Sequence, residues 1–78
     1  MTEPHEKGVV SYQEFQALAL GQQAAVLYTE GTLLASRWEG HQAVGLYRVG
    51  DFFCELSYDT QTYALLRAHA FTSLEGFV

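Results

Sequence analysis

The chain is short of positive charge. Its 78 residues hold four Lys and Arg against nine Asp and Glu, a formal net charge of −5. Nucleic-acid binders draw much of their affinity from basic residues that neutralise phosphates, so this composition opposes that class. Cysteine is almost missing as well, Cys54 being the one residue of its type. One thiol can form neither an internal disulfide nor a cysteine zinc cage, and such usage suits a reducing cytoplasm. Long hydrophobic runs are absent. Nothing approaches the ~20 apolar residues of a membrane span, and the opening "MTEPHEKG" lacks the apolar stretch of a signal peptide. The sequence also lacks internal repeats and low-complexity segments.

What is present is the composition of a folded domain. Apolar residues make up 49% of the chain and charged residues only 17%. That balance supports a core rather than disorder. The length suits one small domain, which buries only about 60% of its unfolded surface. Residues 1–8 read as a flexible tail and residues 9–78 as a single domain.

The first folding signal is "SYQE", Ser11 to Glu14. It has the form of a capping box, in which the serine hydroxyl and the glutamate carboxylate each take a backbone N–H at a helix start. Phe15, Leu18 and Ala19 then form an apolar stripe. Gly21 is a candidate break, giving either two helices over 12–20 and 22–30 or one kinked helix. Gly31 is placed as a left-handed C-terminal cap.

Past Gly31 the pattern turns to aromatic and β-branched alternation with closely spaced turn signals. It predicts strands over 32–38, 43–49, 52–58 and 64–71. Short links between sequential strands give an antiparallel meander. The fold class is therefore α+β: an N-terminal helical segment packed on one face of a four-stranded antiparallel β-meander.

Registers follow from the turns. A two-residue Gly50-Asp51 turn pairs Val49 with Phe52 and sets Arg48 opposite Phe53. Across "EGHQ", Trp38 pairs with Ala43 and Leu33 with Arg48. One face then collects Leu34, Trp38, Tyr47, Phe52, Cys54, Leu56 and Tyr58, the core beneath the helices. In the last strand, Leu66, Ala68 and Ala70 go to the core, because the other register buries Arg67 and His69. That choice sets Glu55 opposite Arg67.

The opposite face carries Leu33, Leu46, Phe53, Leu65 and Phe71 among Arg37, Arg48, Arg67, Glu55 and His69. All three arginines of the chain fall there, beside one acid. A solvated sheet face is mostly polar; a half-apolar one points to a partner or ligand.

The hairpin also carries a resemblance. Gly31, Leu34 and Arg37, then "LYRVGDFFCELSY" with Leu46, Tyr47, Phe52, Phe53, Glu55 and Tyr58, then Phe71, resemble a group of short uncharacterised bacterial proteins. Their pattern runs G-x-x-L-x-x-R, then L-Y-x-(L/V)-x-x-F-(F/Y)-x-E-x-x-Y. The match covers roughly residues 15–74, and Cys54 is a departure from the pattern. The resemblance implies a helix-plus-meander domain and no known activity.

Several reactive-looking sets read as structural. Cys54 points into the core while His69 points away, so the two do not form a nucleophile and base. His5, His41 and His69 lack metal-ligand spacing. Glu14, Glu55 and Asp59 do not converge on a pocket. Trp38, Tyr47, Phe52 and Tyr58 read as core aromatics rather than a ligand pocket.

The sequence thus predicts no catalytic residues, no metal and no cofactor. It favours a non-enzymatic interaction module that self-associates or binds a protein partner through the open sheet face. The expected surface is Arg37, Leu46, Arg48, Phe53, Glu55, Leu65, Arg67 and His69. The expected assembly is a homodimer in which open faces meet or an edge strand pairs. The alternative is a binder of, or an enzyme acting on, a small anionic ligand held by Arg37, Arg48 and Arg67. Nucleic-acid and membrane partners are not expected, and a cytoplasmic location is.

Overall fold

In the computed structural model the described residues are 10–73. The tail at 1–8, with His5, lies outside them. Helix α1 spans Tyr12–Gln16 and α2 spans Leu20–Glu30, followed by β1 Thr32–Glu39, β2 Gln42–Val49, β3 Phe52–Asp59 and β4 Leu65–Phe71. The strands form one antiparallel sheet in the order β1-β2-β3-β4. The α+β meander expected from the sequence is what forms.

The capping box is present: Glu14 N–H donates to Ser11 Oγ at 3.0 Å, and Ser11 N–H donates to Glu14 Oε1 at 2.9 Å. The helix break lies at residues 17–19 rather than at Gly21, which sits in the first turn of α2. The break is held open by side chains. Gln23 Nε2 donates to the Phe15 carbonyl at 2.9 Å, and Ala19 N–H donates to Gln22 Oε1 at 3.0 Å. Gly31 is extended, with φ −88° and ψ 158°, not left-handed. It is needed for closeness: a Cβ there would lie 2.6 Å from the Leu27 carbonyl oxygen.

The core lies between the helices and one end of the sheet. Phe15, Ala24 and Leu27 meet Val49, Phe52, Cys54 and Leu56, all buried. Phe52 is the hub, with ring centroids 5.2 Å from Phe15 and 5.7 Å from Tyr12. Gly50, with φ +57°, makes the tight turn that pairs Val49 with Phe52. Phe52 accordingly points in, and Phe53 points to the other face.

Two β-bulges correct the sequence reading. In β1 the register shifts between Leu33 and Ala35, so Leu33 pairs with Tyr47 on the helix side and Thr32 takes the place opposite Arg48. In β4 it shifts at Leu66, so Leu65 pairs with Tyr58 and packs against the core, while Leu66 joins Gln42, Ser57 and Arg67 on the open face. Leu65 and Leu66 therefore exchange the faces expected of them. Ala68 and Ala70 keep theirs, opposite Leu56 and Cys54. The expected Glu55–Arg67 pairing does not form: Glu55 faces His69 and Arg67 faces Ser57.

Candidate docking surface and aromatic cleft

The open face is more closed than its composition suggests. Val44 and Ser57 are buried there, and Leu46, Phe53 and Phe71 are half-buried. Phe71 stacks on Phe53 at 5.8 Å and on His69 at 5.7 Å. Arg37 reaches back to Glu39 at 2.5 Å and to Glu55 at 2.9 Å. Those two carboxylates hold its guanidinium charged even above its ordinary range. Glu39 ends β1, Asp59 ends β3, and the register places both on this face. Three guanidiniums thus share the face with three carboxylates.

The arginines do not converge. Arg37 and Arg67 lie on the Val44–Ser57 row, and Arg48 lies on the Phe53 row. Those rows are four residues apart, about 13 Å along a strand. Arg48 Nε donates instead to the Gly50 carbonyl at 3.2 Å. A single small anion spanning all three is not what this geometry offers.

Apolar exposure is concentrated elsewhere. Strand β1 is exposed at every residue and, among the described residues, is an unpaired edge of the sheet. Two short helices cover only part of their side of the sheet, so the core face continues past them into solvent. Trp38, expected in the core, lies on that uncovered part and is 70% exposed. Leu33, Ser36, Trp38, Ala43, Gly45 and Tyr47 line a shallow cavity there. Gly45 forms its floor, since a Cβ would stand 3.0 Å from the Tyr47 ring and 3.3 Å from Leu33 Cδ1.

A second cavity of about 260 Å³ adjoins it, sharing Tyr47 and Tyr58. Its walls are Tyr28 from α2, Tyr47 from β2, Tyr58 from β3, Tyr63 from the β3–β4 loop, and Leu65. Burial, then the neighbouring Tyr28 and Tyr58 hydroxyls, push the Tyr47 phenol above its ordinary range. Tyr63 has φ +63°, a left-handed conformation rare for a bulky residue. Its loop is tightly tied. Tyr63 N–H donates to the Asp59 carbonyl at 2.7 Å, and Asp59 Oδ1 accepts from Gln61 and Thr62 N–H at 2.7 and 3.1 Å. Those amide donors hold the Asp59 carboxyl below its ordinary range.

Sequence reasoning placed Tyr47 and Tyr58 on the correct face but treated them as covered. It missed Tyr28 and Tyr63. The available signal was helix length: 16 residues of helix cannot roof four strands of seven or eight residues.

Cys54 is buried and free. Burial pushes its thiol up to about 11, which keeps it protonated and unreactive. No group of three His, Cys, Asp or Glu among the described residues is placed to hold a metal ion. No helix among them is long and apolar enough to cross a membrane. In comparisons with known proteins, the chain matches no family model, no curated protein and no solved structure.

Proposed function

We propose that the protein is a non-enzymatic interaction module that associates with a second copy of itself along β1. The observation that carries this is an edge strand without a partner among the described residues, exposed along its whole length, with Leu33, Leu34 and Trp38 all at least 46% exposed. Open backbone donors and acceptors at a sheet edge recruit another strand, against which β1 sets the bulge at Leu33–Ala35 and the Arg37–Glu39 pair. Antiparallel pairing of β1 with its own copy continues the sheet across a two-fold axis. The helix-side strips of both copies then become one apolar surface. Beside that edge Trp38, 70% exposed, opens roughly 150–200 Å² of aromatic surface.

This moves the docking surface away from the open face, where charge is balanced and the phenylalanines cover each other. The buried free thiol is compatible with a reducing cytoplasm.

Light scattering from micromolar to millimolar concentration tests the proposal. The expected result is a dimer that Trp38→Glu and Leu34→Lys convert to a folded monomer, while Phe53→Arg leaves it intact. A chain that stays monomeric throughout, or a dimer broken by Phe53→Arg alone, overturns it.

A further inference from the structure

The four-tyrosine cavity has features that edge pairing does not use. Tyr28 and Tyr63 stand at its rim, mostly exposed, and Tyr47 and Tyr58 form its half-buried base. The Tyr58 and Tyr63 rings lie 6.4 Å apart between centroids, tilted by 30°. None of the four phenol hydroxyls has a hydrogen-bond partner among the described residues. Tyr63 keeps its ring at this rim in spite of an unfavourable backbone conformation, and strain of that kind collects at functional sites.

Charge separates the two sides of the sheet. Arg37, Arg48 and Arg67 all lie on the far face. Among the described residues, no Lys or Arg side chain stands on the side of the cavity to fill it or repel a cation. The chain as a whole is strongly negative, which draws cations toward it. Aromatic ring faces carry negative potential and attract a cation placed over them. A quaternary ammonium suits such walls better than a primary one. It has no N–H to leave unsatisfied, and its methyl groups pack on rings and on Leu65. The cavity, about 260 Å³, is large enough for such a headgroup.

We propose that Tyr28, Tyr47, Tyr58 and Tyr63 form an aromatic cage for the quaternary ammonium group of a small soluble organic cation. The cage is independent of association along β1, since none of the four tyrosines belongs to that strand.

Choline is the probe, titrated into the full chain and followed by calorimetry and by tyrosine ring resonances. The control is 3,3-dimethylbutan-1-ol, which has the same shape without the charge. Choline should bind saturably, and the neutral isostere at least about tenfold more weakly. Tyr28→Ala and Tyr63→Leu alter exposed positions and leave the core untouched. Each should weaken choline binding about tenfold or more, whereas Tyr47→Phe should preserve it to within a few-fold. Repeating the titration on Trp38→Glu keeps the two proposals separable, because the cage should survive loss of the dimer. Equal binding of the neutral isostere, no saturable choline response, or indifference to both rim substitutions would overturn the cage.

Discussion

Phe52 and Phe53 are adjacent and chemically identical, yet they sit in different environments. Phe52 is fully buried among Phe15 and Tyr12, whereas Phe53 is half-buried against Phe71. Phe52→Ala should cost about 3–5 kcal/mol. Phe53→Ala should cost closer to the ~0.5–1.5 kcal/mol of an aromatic pair plus part of its buried area. Urea denaturation of the two variants checks the difference. Cys54 makes stability depend on pH. The unfolded thiol ionises near its ordinary value of 9.0, while the folded one stays protonated to about 11. Between those values the unfolded state has lost a proton that the native state keeps, so stability falls as pH rises. The loss should approach ~1.4 kcal/mol per pH unit and total roughly 2–3 kcal/mol by pH 11. Below pH 9 the full contribution is present. Cys54→Ala should flatten that slope in paired denaturation series at pH 8 and pH 10.5.

Two glycines at the ends of α2, Gly21 in its first turn and Gly31 at its C-cap, differ in what they do for the helix. Gly21 has open space where a Cβ would go, so Gly21→Ala should stabilise by about 0.5–1 kcal/mol. Gly31 lies against the Leu27 backbone, and Gly31→Ala forces a 2.6 Å contact. It should lower the melting temperature where the first raises it, and thermal scans of both variants decide the matter. The strands show how far the sequence could be read. The Gly50-Asp51 turn, the Trp38–Ala43 pair and the β2–β3 register were all legible, because turn chemistry and alternation agree there. The two bulges were not legible, for a physical reason. Each falls in a Leu-Leu pair, Leu33-Leu34 in β1 and Leu65-Leu66 in β4. Exchanging one leucine for its neighbour leaves the apolar pattern unchanged, so periodicity carries no trace of the extra residue. The exposure of Trp38 was not legible for a related reason. Alternation identifies the side a residue faces, but the reach of the helices decides whether that side is covered.

At the scale of the molecule, the sheet is anchored at one end and open at the other. The helices, the core aromatics and the Gly50 turn gather at one end, while Trp38 and the tyrosine cavity extend past them. That open end is held by a small latch. Thr60 donates both its N–H, at 2.8 Å, and its hydroxyl, at 3.0 Å, to the His41 carbonyl. The β3–β4 loop that carries Tyr63 is thereby tied to the β1–β2 turn that follows Trp38. The Thr60 amide should then report on both surfaces through hydrogen exchange. Spreading of the β1–β2 hairpin frees it, and so does lifting of the Tyr63 loop. Joining of β1 strands and filling of the cavity should each slow its exchange, and Thr60→Val, which keeps the amide but removes the hydroxyl, should speed it.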